Sequence, residues 1–261
     1  MSLVRIERDG PCAHVVLDRA ERRNALTREL VEDLYRAALE VEHDSEVGCV
    51  VVRGDGTGFS SGIDASTLPG LGTPAGLREI QSAFVRAFDR FAHMAKPTIA
   101  QVHGWAIGAG FELALACDLR VIAADATLGL PETRMGVVPD VGGCSRLTAL
   151  VGAGRAKELI MTSAMIDGVY AGTLGIANRV ADATGLAEET SRLTQELLRC
   201  STHANGLVKA MVNQAAMPAH AVLADAELSA QLSCIGTDQF RDAAAAFASA
   251  PSANGRPARA R

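Results

Sequence analysis

Residues 96–143 constrain the fold more than any other stretch. They read KPTIAQVHGWAIGAGFELALACDLRVIAADATLGLPETRMGVVPDVGG. The apolar run 97–102, rich in β-branched residues, has the composition of a buried strand. Gly104, Gly108 and Gly110 follow closely, and an apolar helix pattern over 111–117 then carries one carboxylate, Glu112. Glu132 follows Pro131 in a turn bounded by glycine and proline, and Asp140 sits in Pro-Asp-Val-Gly-Gly. Burying a carboxylate among apolar residues is costly. These three acids are therefore candidates for a site with displaced pKa values.

A helix beginning near Ala109 would leave its first N–H groups without intrahelical acceptors, and its dipole favours negative charge there. Such a terminus can form half of an oxyanion hole. Glu112 lies one turn further on, on the same side as Ala109. The second donor is expected from the Gly62–Ile63 loop, at the end of the preceding strand.

The 261 residues suffice for one large domain or a core with a helical appendage. Hydrophobic residues make up 48% and charged residues 21%, ordinary values for a globular chain. Aromatics are only 4%, so Ala, Val, Leu and Ile must build the core. A net charge of -5 argues against general nucleic-acid binding. The arginines within 256–261 read as part of a solvated tail. Cys12, Cys49, Cys117, Cys144, Cys200 and Cys234 are scattered with no C-x-x-C pair. No metal site or thioredoxin motif is expected from them. They read mostly as small core residues, in keeping with a reducing cytoplasm. No secretory signal is expected, and the longest uncharged run, 97–111, is too short to span a bilayer.

Taken in order, 4–7 and 14–17 read as strands joined by an Asp9-Gly10-Pro11 turn. Thr27 is placed as the N-cap of a helix reaching about His43, with Leu30, Val31, Leu34, Ala37, Ala38 and Val41 on one face. A continuous apolar strand covers 48–53. The Gly/Pro-rich run 68–76 reads as a mobile loop, and 76–95 as a second amphipathic helix. Residues 119–123 read as another strand. Beyond Gly143 only helices are expected: 145–150, 155–162, 168–171, 186–200, 204–217, 219–234 and 238–248. This order suggests an α/β core over 1–200, a helical region over 201–250 and a disordered tail over 251–261.

Two motifs fail on context. Gly58-Phe59-Ser60-Ser61-Gly62 matches G-x-S-x-G, but glycines separate it from the strand that a nucleophile elbow needs. Nothing marks His203 or His220 as its partner. Gly108-Ala109-Gly110 lacks the third glycine of a dinucleotide loop, since Leu113 stands there. His103 and Trp105, beside the glycine turn, read as packing residues.

With these residues in view, the chain resembles the enoyl-CoA hydratase/isomerase (crotonase) superfamily. The matching motifs are RNAL at 23–26, FSSGID at 59–64, 96–118, 129–143 followed by Ser145, Arg146 and Leu147, and GIANRV at 175–180. The resemblance implies a spiral of repeated ββα units with a C-terminal helical trimerisation region, usually assembled as a dimer of trimers. It implies an acyl-CoA thioester as ligand, with no further cofactor, and no nucleic-acid or membrane partner. By position, Ile63 and Ala109 match the oxyanion-hole donors, and Glu112 and Glu132 the two catalytic acids of hydratases. Those acids would activate water for attack at Cβ and protonate Cα. Asp140 matches an acid used by dienoyl-CoA and some enoyl-CoA isomerases, so isomerase chemistry stands as the alternative. A non-catalytic acyl-CoA-binding protein is the third reading. Arg23, Asn24, Ala25 and Leu26 resemble the CoA-binding edge, as do Ser61, Asp64, Ala65 and Ser66. The C-terminal end departs from the family pattern: Arg241-Asp242-Ala243 leads to Phe247, without the lysine that contacts CoA in relatives.

Overall fold

The computed structural model describes residues 2–217 and 219–249. The expected tail over 251–261 lies outside the described residues. The chain begins with an antiparallel hairpin, β1 (Val4–Asp9) and β2 (Cys12–Leu17), as the turn chemistry predicts. Helix α1 (Arg28–His43) follows, and Thr27 Oγ1 caps it by accepting from Leu30 N–H at 3.2 Å. Its buried face carries Leu30, Val31, Leu34, Ala37, Ala38 and Val41, the 3.6-residue stripe of the sequence. Strand β3 (Cys49–Gly54) is buried along Cys49–Val52, where β-branched side chains suit a parallel strand covered on both faces.

The run expected to be a mobile loop is helical instead. It forms α2 (Leu68–Leu71) and the start of α3 (Pro74–His93). Leu68 and Leu71 are buried, Pro74 opens α3, and Thr73 caps it by accepting from Gly76 N–H at 3.1 Å. Glycine and proline here serve a helix start rather than a flexible linker.

Strands β4 (Thr98–Val102) and β5 (Trp105–Ile107) precede α4 (Ala109–Ala116). Then come β6 (Leu119–Ala123), β7 (Thr127–Gly129) and a 3-10 turn at Glu132–Met135. Helix α5 (Gly143–Met161) is broken at Gly152, whose φ of 74° and ψ of 162° are not helical. That break matches the two helices expected from the sequence. The last third is not all helix. Strand β8 (Ile166–Asp167) precedes α6 (Gly168–Thr173), and β9 (Arg179–Ala181) follows it. Two or three residues are too few to show an alternating pattern. Helices α7 (Leu186–Leu198), α8 (Thr202–Ala216), α9 (His220–Cys234) and α10 (Asp238–Ser249) complete the chain.

The larger sheet has the order β1-β2-β3-β4-β6-β9, parallel from β2 onward, and the smaller sheet has the order β5-β7-β8. Ser60 adds a parallel bridge to Ala106 at the edge of the smaller sheet. Successive turns thus put one segment in each sheet before a helix: β3 and Ser60, then β4 and β5, then β6 and β7. This is the expected spiral of ββα units. Among the described residues no helix is long and apolar enough to cross a membrane.

Candidate active site

Two glycine turns bring two N–H groups side by side. After β3, Gly62 has a φ of 91°, and a Cβ on it would lie 2.6 Å from Ile107 O and 3.7 Å from Ala109 N. Glycine alone allows the 62–63 peptide to press against the start of α4. Gly108, with φ 53° and ψ -128°, ends β5 and caps α4. Ala109 has no positive φ, so its Cβ is no obstacle. Among the described residues, neither Ile63 N–H nor Ala109 N–H has an acceptor. Both sit where the sequence places the oxyanion donors.

Three carboxylates gather beside them. Glu112, in the first turn of α4, is 2% exposed. Its Oε1 accepts N–H bonds from Gly143 at 2.8 Å and Val141 at 3.2 Å. Glu132 opens the 3-10 turn, and its Oε1 rests against Gly108, where a Cβ would come within 2.7 Å. Glu132 Oε2 is buried without a hydrogen-bond partner among the described residues. Asp140 is half-buried in the turn before α5. Burial pushes Glu132 up to about 8, with the nearby Asp140 charge adding to it. Burial, then the Glu227 charge, raises Asp140 to about 7. Burial likewise raises Glu112, with the charges of Glu132, Asp140 and Glu227 adding to it, while the bond from Val141 opposes.

These groups line a cavity of about 130 Å³ with Ile63, Ala109, Leu71, Val141 and Phe240 among its walls. Gln231 of α9 and Phe247 of α10 also line it, so both helices contribute to its walls. Larger clefts lie elsewhere but hold none of these acids.

The 23–26 segment is wired to the oxyanion loop. Leu26 N–H donates to Gly62 O at 2.8 Å, and Asp64 N–H donates to Leu26 O at 3.0 Å. Ser61 N–H donates to Arg23 O at 3.0 Å. Arg23 and Asn24 both adopt positive φ. The Asn24 side chain is fully buried: it accepts from Arg19 N–H and donates to Asp55 O and Gly58 O. Ala25 and Leu26 are buried, and Asp64 caps the 3-10 turn at Ala65–Thr67 by accepting from Ser66 N–H.

Sequence reasoning missed Arg19, which joins this edge by donating to Ala25 O at 3.0 Å and Asp64 Oδ2 at 2.6 Å. It also missed Glu227 and Gln231, both buried on α9 and both bonded to the turn that carries Asp140. The sequence of α9 shows no marked apolar stripe, so nothing local singles out either residue.

The other flagged residues play structural parts. Ser60 is fully buried and donates to Asn24 O at 2.8 Å. His220 meets Ser145 and Asp89 rather than Ser60. His103 bonds Gly56 O, and the Trp105 ring packs against Gly58. Of the cysteines, Cys12, Cys49 and Cys117 are buried, whereas Cys200 is exposed.

Residues 7–253 match the family model described as enoyl-CoA hydratase/isomerase. The chain belongs to that family. It is 32% identical over 243 residues to the short-chain-enoyl-CoA hydratase of Clostridium acetobutylicum, covering 93% of each chain. It is also 32% identical to the crotonyl-CoA hydratase of Syntrophomonas wolfei, over 80% of each chain. The structure of an enoyl-CoA hydratase from Mycobacterium avium subsp. paratuberculosis superposes with a TM-score of 0.85 at 25% identity, covering 95% of this chain and 96% of that one. A Thermobifida fusca enoyl-CoA hydratase homologue solved in complex with CoA gives 0.76 at 32% identity, covering 90% and 93%. In this family member the fold gathers Glu112, Glu132, Asp140, Ile63 and Ala109 around one cavity.

Proposed function

We propose that this chain is an enoyl-CoA hydratase, adding water across the 2,3 double bond of a 2-enoyl-CoA to give a 3-hydroxyacyl-CoA. The observation that carries this reading is the pairing of Glu112 and Glu132 beside two unpaired backbone donors. The thioester oxygen would accept from Ile63 N–H and Ala109 N–H, drawing electrons from Cβ. The two N–H bonds to Glu112 favour its ionised form over that of Glu132, whose buried Oε2 has no partner. Hydration needs the proton of the pair on Glu132, and these two bonds favour that form against the burial and neighbouring charges that raise Glu112. Glu112 takes a proton from water as the oxygen bonds to Cβ, and the resulting enolate is held in the oxyanion hole. Glu132 then gives its proton to Cα. Each step uses the substrate, water and the chain's own carboxylates, with no further cofactor.

The relatives named for short-chain and crotonyl substrates support a short acyl group, as does the small volume of the cavity that Leu71 and Phe240 help to line. The CoA moiety would leave along the edge formed by Arg23, Asn24, Ala25, Leu26, Ser61, Asp64, Ala65 and Ser66. A cytoplasmic setting and a trimer, or a dimer of trimers, belong to the same reading. The decisive assay follows loss of the enoyl-thioester ultraviolet absorbance with crotonyl-CoA. Glu112→Gln and Glu132→Gln should each lower kcat by about 10²- to 10⁴-fold. Wild-type rates surviving in both variants would sink the two-carboxylate mechanism.

Asp140 supports one second reading. Its half-buried carboxyl lines the cavity and titrates near neutrality, at about 7, as a proton carrier between carbons would. An isomerase of enoyl- or dienoyl-CoA would lose its rate in Asp140→Asn, whereas a hydratase would keep most of it.

A further inference from the structure

The turn over 138–143 sends four N–H groups to two different helices. Val141 and Gly143 donate to Glu112 of α4, as above. Val138 donates to Gln231 Oε1 at 2.9 Å, and Gly142 donates to Glu227 Oε2 at 2.9 Å, both on α9. Gln231 stands one helical turn beyond Glu227, so one face of α9 grips both ends of the turn. The carbonyl side is held as well: Gln81 Nε2 donates to Asp140 O at 2.9 Å, and Arg146 Nη1 donates to Val141 O at 2.8 Å. Nothing in this arrangement gives Glu227 direct access to the substrate, since it is absent from the cavity wall.

We infer that Glu227 is a positioning residue for the reaction: with Gln231 it holds the 138–143 turn so that Val141 and Gly143 keep their N–H groups on Glu112. The inference rests on Glu112 being the base of the proposed hydration. The physical reason is competition for acceptors. Gly142 is buried, and its N–H, deprived of Glu227, has a strong drive to find another oxygen. The Glu112 carboxylate is served by the residues on either side of Gly142. Rotating the turn to satisfy Gly142 takes those donors away and reorients the base.

Glu227 also contributes charge. The groups that face it are Arg146 and the Ser145 and Gly142 N–H groups from the α5 end, His220 from its own helix, and the acids Glu112 and Asp140. Asp89 of α3 stands behind them, paired with Arg146 and 3.4 Å from His220 Nε2. Cys144 feels Glu227 together with Glu112, Glu132 and Asp140.

The test compares Glu227→Ala with Glu227→Gln, which keeps an acceptor for Gly142 but removes the charge. Glu227→Ala should lower kcat by about 10- to 100-fold, with KM for crotonyl-CoA within about threefold of wild type. Glu227→Gln should recover kcat to within about threefold of wild type. It should also move the acidic limb of the pH–rate profile down by about half a unit or more, because Glu112 then ionises beside one fewer negative group. A scaffold role alone would lower Tm without that shift. A crystal structure of Glu227→Ala supplies a readout free of activity. Loss of the Val141 or Gly143 bond to Glu112 supports the inference, and retention of both overturns it. Wild-type kinetics in Glu227→Ala, alongside collapse in Glu112→Gln, would overturn it while leaving hydration intact. A wild type inert on every enoyl-CoA would instead remove the hydration reading, and the crystallographic result alone would decide the positioning role.

Discussion

Glu132, the proposed proton donor, also carries a thermodynamic cost. Its carboxyl titrates at about 8 in the folded chain against an ordinary 4.5, chiefly because it is buried. A proton donor at Cα must be protonated, so kcat should fall as pH rises through about 8. The same shift acts on folding. The folded chain binds this proton more tightly than the unfolded chain, so the stability contribution is complete below pH 4.5 and is lost as pH rises through 8. Glu132→Gln should therefore be more stable than wild type at pH 9, by about 1–3 kcal/mol, and indistinguishable from it near pH 4. Thermal melts at the two pH values measure this. A variant less stable than wild type at pH 9 would show that the buried carboxylate is compensated in some way the distances do not reveal.

At the scale of elements, the glycine at the start of α5 and the one at its kink have opposite meanings. A Cβ on Gly143 would lie 2.6 Å from Glu112 Oε1, in a backbone conformation open to any residue. Gly143→Ala should thus displace the Glu112 carboxylate, the proposed base, and lower kcat by about tenfold or more, with a small change in Tm. Gly152 has a φ of 74° with open space around its Cα. Gly152→Ala should destabilise the chain by about 1 kcal/mol and leave kcat alone. Equal activities for the two variants in crotonyl-CoA hydration would break the link between Gly143 and the base. Helix α1 was legible in the sequence because its Thr27 cap and its apolar stripe are local signals, whereas the Thr73 cap of α3 lay in a run that reads as a loop. The short strands β5, β7, β8 and β9 were not, since each exists only through partners distant in sequence.

Across the whole molecule, α8 leaves Leu207, Val208, Met211 and Val212 exposed as a continuous apolar ridge. The helix is anchored beneath by Lys209, which pairs with Asp118 at 2.9 Å and donates to Phe91 O at 2.7 Å. A ridge held rigidly and left uncovered suits association with further copies of the chain, and it supports the proposed trimer. Met211→Glu with Val212→Glu should lower the sedimenting mass relative to wild type. A monomeric wild type, or an unchanged mass in the variant, would remove that proposal.

The local chemistry of the site was set by the chain itself. The glycines that permit Gly62 and Gly108 their positive φ, the acids at 112, 132 and 140, and the β-branched run of β3 all act through nearest neighbours and period, and these are readable in one dimension. The tertiary structure alone decided that Glu227 and Gln231 reach back from α9 to the 138–143 turn, and that Phe240 and Phe247 of α10 wall the cavity. It alone decided that Arg19 braces the edge beside Asp64. Those contacts join residues tens of positions or more apart. Their side chains carry no local mark, because a polar residue on a helix face looks the same in sequence whether it meets water or the N–H of a buried turn.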